Sequence, residues 1–184
     1  RELAGEYGIE YRSPAFAIHK KGRYGSIVGR AYETYSDFER LLEEVKAQGG
    51  DFVKLMLSGI VTFERYGELS CPSLGKEEIH TLVRLSHEAG FAVMVHVDGD
   101  EAVSAAVEAG ADSVEHGYFL TERTVDTMRE RGTLWVPTLA AIAAFAIEVF
   151  LVPQAERQFK KRQRRDCPSS VSAYSLLFNY MPLL

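Results

Sequence analysis

The sequence predicts an α/β protein built from a serial β/α repeat, of the (β/α) barrel type. Short apolar runs alternate with segments of helical hydrophobic spacing from residue 36 to residue 137, and polar or unusual residues gather where the apolar runs end. A doubly wound open sheet is the alternative, although neither GxGxxG nor GxxxxGK[ST] occurs in the chain. Glycines mark the predicted helix-to-strand joints at positions 50, 90, 110 and 132.

The composition is that of a globular protein with enough apolar residues for a sizeable core. The 184 residues are 46% hydrophobic and 26% charged, with a net charge of -5. This mildly acidic balance gives no reason to expect nucleic acid as a partner. Cys71 and Cys167 form no metal or redox spacing, and the N-terminus does not resemble a signal peptide, so a reducing, cytoplasmic location is expected.

The first predicted elements are a short strand over residues 15–19 and a helix that starts at a capping box. Ser36 and Glu39 have the spacing of that box, and apolar residues then recur at helical spacing until Gly49. We interpret His19, at the end of the strand, as a loop residue.

The next apolar run, DFVKLMLSG, predicts a strand that is buried on both faces and contains one lysine, Lys54. A buried lysine is costly unless its charge is paired or removed. The structural interpretation is a lysine that extends out of the strand end or pairs with a neighbour. Because carbon dioxide can convert a lysine amine into an anionic carbamate, Lys54 is also a candidate metal ligand.

Two later apolar runs, over residues 91–95 and 111–114, each end at a histidine, and a helical pattern over 100–109 separates them. A strand, a helix and a second strand of this kind form a βαβ unit, whose parallel strands end at one edge of the sheet. His96 and His116 should therefore lie side by side, and two imidazoles supply half of a metal site. Two unrelated, hydrogen-bonded histidines are the alternative.

Another helix is predicted before these runs, starting at Ser73 or Gly75 and ending at Gly90. It carries His80 and His87 away from the strand ends, so we interpret both as surface or packing residues. The remaining predicted elements are a helix over residues 121–131 and a strand over 133–137.

Three motifs, DFVKLMLSG, MVHVDGDEAVSAAVEAGADSVEHGY and LWVPTL, resemble the amidohydrolase superfamily, in particular its imidazolonepropionase-like and Xaa-Pro dipeptidase (prolidase-like) branch. The resemblance covers residues 36–139 and implies a partial (β/α)8 TIM barrel, comprising about units three to seven. It implies that Lys54 is the carboxylated lysine of the fourth barrel strand. It also implies that His96 and His116 are the metal ligands of the fifth and sixth strands.

The resemblance further implies a chemistry in which one or two divalent metal ions, most often zinc, ionise a water that attacks an amide, cyclic amide or peptide carbonyl. Asp98 and Glu115 are expected to fix the histidine tautomers. Ser58, Tyr118 and Thr138 are expected to contact a small-molecule or dipeptide-like substrate.

Two parts of the family pattern are not found in this sequence. No His-x-His pair occurs, although the family has one on its first strand, and no segment resembles the eighth strand with its catalytic aspartate, so the catalytic residue is unknown. The alternative function is therefore a catalytically incomplete fragment that only folds and oligomerises. Open strand edges invite pairing with another copy, and a homo-oligomer is expected.

Residues 1–139 are predicted to form the partial barrel domain, and residues 140–184 a helical, basic and apolar tail. The apolar stretch after Pro137 is short and contains Glu148, so no membrane partner is expected. A basic run over residues 160–165 is typical of a solvated helix face or linker. A basic-tailed binding module is the third hypothesis.

Overall fold

The computed structural model describes residues 5–62, 65–140 and 143. These residues form a six-stranded sheet with helices between its strands. The strands are β1 (Ala17–Lys20), β2 (Gly29–Tyr32), β3 (Val53–Met56), β4 (Val93–Val97), β5 (Ser113–His116) and β6 (Leu134–Val136). The described helices are α1 (Tyr35–Ala47), α2 (Lys76–Glu88), α3 (Asp100–Ala109) and α4 (Glu122–Arg131).

All neighbouring strands of the sheet are parallel, in the order β2-β1-β3-β4-β5-β6. From β3 to β6 the strand order follows the chain, and β2 lies on the other side of β1. The sheet is open at β2 and at β6, and successive strands are joined by α2, α3 and α4. The structure therefore confirms the predicted fold class, a partial barrel.

The hydrophobic core lies between the helices and one face of the sheet. Side chains alternate between the two faces along a strand, and Val53, Leu55 and Val95 all point to the helix side, where they are fully buried. Each helix contributes to the same core, through Phe38, Ile79, Val103 and Met128 in turn. The alternate positions, which include Lys54 and His96, therefore lie on the opposite face.

The N-terminal cap of α1 differs from the prediction. Thr34 is the N-cap: its hydroxyl accepts a hydrogen bond from the backbone N–H of Asp37, and the Asp37 carboxylate accepts one from the backbone N–H of Thr34. The predicted box at Ser36 and Glu39 is wrong, because Ser36 already lies inside the helix. Thr34 and Asp37 have the same three-residue spacing as Ser36 and Glu39. The extended backbone at Thr34 is what makes Thr34 the N-cap.

The other described helices begin close to where the sequence places them. Gly75 is the N-cap of α2, and α3 spans the predicted residues. The N-cap of α4 is Thr121, whose hydroxyl accepts a hydrogen bond from the backbone N–H of Thr124. These helices follow directly from local hydrophobic spacing and glycine positions.

The strand β2 was not predicted. Of its four residues only Tyr32 is buried, so the sequence carries no alternating pattern. Tertiary contacts define this strand: it pairs with β1, and the Tyr32 hydroxyl donates a hydrogen bond of 2.9 Å to Glu78 on α2. The strand β1 also extends beyond the predicted range, so that His19 is a buried strand residue and not the loop residue that we expected.

The open edge strand β6 is apolar and exposed at all three of its residues. No helix in the described part of the chain combines the length and the hydropathy needed to cross a membrane. The described residues up to Thr138 belong to one compact unit. Almost all of the predicted tail, with its basic run, lies outside the described residues, so its fold stays a prediction.

Candidate metal centre at the strand ends

Lys54 lies on the sheet face opposite the helices, in β3. Its neighbours Val53 and Leu55 point into the core, so alternation puts the lysine on the other side. Burial lowers the pKa of the Lys54 amine to about 8, and the negative charge of Glu115 opposes that shift. Near neutral pH, Lys54 therefore has more of the uncharged, nucleophilic amine than an exposed lysine has.

His96 lies near the end of β4 on the same face as Lys54, and it is only 3% exposed. Burial, together with the positive charges of His116 and Lys54, lowers the pKa of His96 to about 4. Its Nε2 atom lies 3.3 Å from the carbonyl oxygen of Gly59. Because a carbonyl only accepts, Nε2 carries the ring proton and the lone pair is on Nδ1.

His116 is the last residue of β5, and its ring lies beside that of His96. The two ring centroids are 4.8 Å apart in an edge-to-face arrangement. Burial lowers the pKa of His116, and the positive charge of Lys54 adds to this effect. The backbone of His116 has φ = 67°, a left-handed conformation that non-glycine residues rarely adopt. The prediction that the two histidines lie side by side is met by this geometry.

The carboxylates that we expected to orient the histidines have other contacts. Asp98, which is 1% exposed, accepts a hydrogen bond of 2.9 Å from the backbone N–H of Tyr118. Burial raises the pKa of Asp98 to about 6, and this hydrogen bond opposes the shift. Glu115 interacts electrostatically with Lys54 and accepts a long hydrogen bond from the Ser113 hydroxyl. For His96, the backbone carbonyl of Gly59 takes the place that we predicted for a carboxylate.

The three predicted substrate contacts belong to a hydrogen-bond network along the strand ends. The hydroxyl of Ser58, which is buried, accepts from the backbone N–H of Asp98 at 2.9 Å and donates to the carbonyl of Gly59 at 2.8 Å. The hydroxyl of Tyr118 donates to the carbonyl of Thr138 at 3.0 Å. The network therefore joins the ends of β3, β4, β5 and β6, and the substrate-binding role of its members stays a prediction.

Tyr24 is a residue near the site that the sequence did not reveal. The ring centroid of Tyr24 lies 5.1 Å from that of His96. Its loop packs closely on the sheet, since a Cβ atom on Gly25 would lie 2.8 Å from the Cβ of His19. No periodic pattern marks residues 21–28, so only the tertiary structure could bring Tyr24 to the histidine.

The remaining described histidines lie where we predicted, on α2. His87 is exposed and pairs with Asp112 at 3.0 Å, and His80 is partly buried. No cluster of three His, Cys, Asp or Glu side chains suited to a metal occurs among the described residues. Lys54, on the same sheet face as His96, is the third donor that the sequence predicted.

The chemistry of these donors fits the divalent metal that the resemblance implies. His96 and His116 are both held in the neutral form that binds metals, because burial lowers their pKa values. A lysine carbamate would add the negative charge that two imidazoles lack. Burial of Lys54 favours this modification, because the uncharged amine is the form that reacts with carbon dioxide.

The fold and the site together define a parallel α/β barrel segment with two histidines at its strand ends and a lysine within the adjoining strand. Residues 4–174 match the amidohydrolase family, and the chain belongs to this family. The predicted family is thus confirmed. The match continues beyond residue 139, into the part of the chain that we predicted to be a separate tail.

Several relatives extend this comparison. The chain is 26% identical over 160 residues to the ochratoxinase of Aspergillus niger, which covers 87% of this chain and 31% of that protein. An uncharacterised protein of Mycobacterium tuberculosis is 31% identical over 113 residues, or 61% of this chain and 30% of that protein. The chain thus spans less than a third of the length of these curated relatives.

Solved structures support the fold. The crystal structure of a Xaa-Pro dipeptidase with methionine bound in its active site superposes with a TM-score of 0.60 at 24% identity, over 80% of this chain and 40% of that one. The crystal structure of A. niger ochratoxinase gives a TM-score of 0.62 at 20% identity, with the same coverage. These similarities agree with a chain that forms part of a larger barrel.

Proposed function

We propose that the protein is a metal-dependent hydrolase that cleaves an amide, cyclic amide or peptide bond. The observation that carries this proposal is the arrangement of Lys54, His96 and His116 on three neighbouring strands, β3, β4 and β5, with all three pKa values lowered by burial. Perturbed titratable groups at the C-terminal edge of a parallel sheet are typical of an active site. The family membership supports the same chemistry.

The proposed metal ligands are the imidazoles of His96 and His116 and a carbamate on Lys54. Carbamate formation joins the Lys54 nitrogen to the carbon of carbon dioxide and releases one proton. A bound zinc ion would lower the pKa of a water molecule and polarise the scissile carbonyl. The protein would hold this centre in place, because the Gly59 carbonyl contacts the His96 ring and the Ser58 hydroxyl accepts a hydrogen bond from the backbone N–H of Asp98, two residues further on.

The proposed substrate is a small molecule or a dipeptide-like amide. Two relatives support this class by their names, Xaa-Pro dipeptidase and ochratoxinase. Tyr118 and Thr138 lie at the ends of β5 and β6 and are proposed to contact the substrate, and Ser58 to contact it or to hold the adjoining backbone. The proposal extends to a cytoplasmic homo-oligomer, as the sequence suggests.

Metal analysis of the protein purified without added metal or chelator tests this function. We expect about one or two zinc ions per chain, and loss of most of this metal in Lys54→Ala, His96→Ala and His116→Ala. Adding bicarbonate should raise the metal content of the parent protein and leave that of Lys54→Ala unchanged. His87→Ala is the matched control, since His87 lies on the surface of α2.

Two results would contradict the proposal. If the three substitutions leave the metal content unchanged, these residues are not the ligands. If the folded parent protein binds no metal, the catalytically incomplete fragment becomes the better description. A positive result justifies screening dipeptides and cyclic amides as substrates.

A further inference from the structure

The direction of the His116 side chain is not explained by its strand. Along β5, alternation places residue 116 on the same side as Val114, which points into the helix-side core. Its register partner on β4 is Val97, which is also fully buried. A regular strand would therefore turn His116 away from the face that carries His96.

The left-handed backbone of His116 reverses this direction. Changing φ from about -120° to the observed 67° rotates the Cβ atom to the other side of the strand. The imidazole then lies 4.8 Å from the ring of His96. This conformation is unfavourable for a residue with a side chain, so the surrounding structure has to hold it in place.

Neighbouring strands contact the turn that follows β5 from both sides. On the β6 side, the indole N–H of Trp135 donates a hydrogen bond of 2.8 Å to the backbone carbonyl of His116. On the β4 side, Asp98 accepts from the backbone N–H of Tyr118 at 2.9 Å. The backbone N–H of Gly117 also donates to the carbonyl of Val97 at 3.2 Å.

The indole of Trp135 also packs directly against Gly117. A Cβ atom on Gly117 would lie 2.9 Å from the indole nitrogen and 3.0 Å from a methyl group of Val114. Because Gly117 has φ = 61°, it continues the left-handed turn that begins at His116. The indole therefore packs over this turn and also donates a hydrogen bond to the carbonyl of the first residue of the turn, His116.

We propose that Trp135 is a positioning residue that holds His116 in its left-handed conformation and so directs the imidazole toward His96. Asp98 assists from the opposite side through the backbone of Tyr118. The inference rests on the proposed function, because the direction of the His116 imidazole matters for binding the proposed metal ion. The edge strand β6 thereby sets the geometry of a ligand on β5.

Binding of Co²⁺ to Trp135→Phe tests the proposal, because phenylalanine keeps an aromatic ring and removes the donor. We expect Co²⁺ affinity to fall by about 10- to 100-fold, the usual range for partners of metal-binding histidines, and the visible absorption spectrum of bound Co²⁺ to change. Leu134→Ala is the control on the same exposed strand, and should alter neither. Unchanged affinity and spectrum in Trp135→Phe would overturn the proposal.

A second pair of variants covers the case in which Trp135→Phe does not fold. Asp98→Ala removes the acceptor for the Tyr118 backbone and should weaken Co²⁺ binding, whereas Asp98→Asn keeps a side-chain oxygen and should restore it. Equal Co²⁺ binding by the two variants would show that this side of the turn does not position His116.

The metal-free protein separates this inference from the proposed function. Nuclear Overhauser effects between the ring protons of His96 and His116 should be present in the parent protein and absent in Trp135→Phe. The chain has one tryptophan, so its single indole N–H signal should also exchange slowly with solvent. If the parent protein binds no Co²⁺ but shows the His96–His116 effects and Trp135→Phe loses them, the metal site fails and the positioning role stands. If the parent lacks these effects, or Trp135→Phe keeps them, the positioning role fails.

Discussion

Gly117 permits the conformation on which the position of His116 depends. It has a positive φ angle, and a Cβ atom there would lie within 3.0 Å of Trp135. We predict that Gly117→Ala lowers the free energy of unfolding by about 2–4 kcal/mol, from a strained backbone and a steric clash combined. Urea unfolding measures this loss.

The matched control for this substitution is Gly132→Ala. Gly132 also has a positive φ angle, 71°, but a Cβ atom there would have no neighbour within 4 Å. Only the backbone strain applies, so we expect a loss of about 1 kcal/mol. Equal losses at the two glycines would mean that Trp135 does not pack against the turn as described.

Asp98 is a buried carboxyl group whose pKa is raised to about 6 by burial. Its unfolded value is about 3.9, so between about pH 4 and pH 6 the folded state binds more protons than the unfolded state. The Asp98 contribution to the free energy of unfolding therefore decreases as pH rises through this window. At neutral pH the buried charge costs about 1–3 kcal/mol.

We predict that Asp98→Asn removes this cost. Relative to the parent protein, the variant should gain about 1–3 kcal/mol in unfolding free energy between about pH 4.5 and pH 7.5, measured in chelator. The contribution of His96 to the free energy of unfolding has the opposite pH dependence, since the pKa of His96 is lowered to about 4. Both proteins contain His96, so this contribution cancels when the stability of the parent is subtracted from that of the variant. A stability difference that does not vary with pH would contradict the prediction.

At the scale of elements, α1 provides a direct choice between two possible caps. The structure assigns the N-cap to Thr34, whose hydroxyl accepts a hydrogen bond from the backbone of Asp37. We predict that Thr34→Ala lowers the free energy of unfolding by about 0.5–2 kcal/mol, because one helix N–H loses its partner. Chemical denaturation measures the change.

The control is Ser36→Ala, at the cap that the sequence suggested. Ser36 lies in the first turn of α1, where alanine is a better helix former, so the stability should stay the same or rise slightly. A larger loss from Ser36→Ala than from Thr34→Ala would reverse the assignment.

At the scale of the whole molecule, the open sheet has an apolar edge at β6. Trp135 and Val136 are 43% and 45% exposed, and exposed edge strands pair readily with other chains. We predict that the 184-residue chain self-associates and that Val136→Lys shifts it toward the monomer, because a charge at the edge opposes strand pairing. Size-exclusion chromatography with light scattering measures the molar mass.

Val125→Lys adds the same charge at a position that is 37% exposed and lies on α4, not on the edge strand. This control should associate like the parent chain. If both lysine variants give the same distribution of sizes, association does not involve β6, and the predicted oligomer needs another interface.

Local patterns in the sequence determined the repeat of strands and helices. The apolar runs that become β3, β4 and β5 and the spacing that becomes α3 depend on neighbouring residues alone. The placement of Lys54, His96 and His116 on neighbouring strands followed from the short connections between successive parallel strands. Periodicity records which residues become buried, and burial is the largest favourable term in folding.

Only the tertiary structure decided the features that depend on residues distant in sequence. The strand β2 exists through its pairing with β1, and Tyr24 reaches His96 through a loop without periodicity. The direction of His116 depends on a left-handed backbone that Trp135 supports from another strand. Strand alternation alone predicts that the His116 side chain points into the helix-side core. The sequence could not reveal the actual direction, because a hydrogen bond between two strands leaves no periodic pattern in either of them.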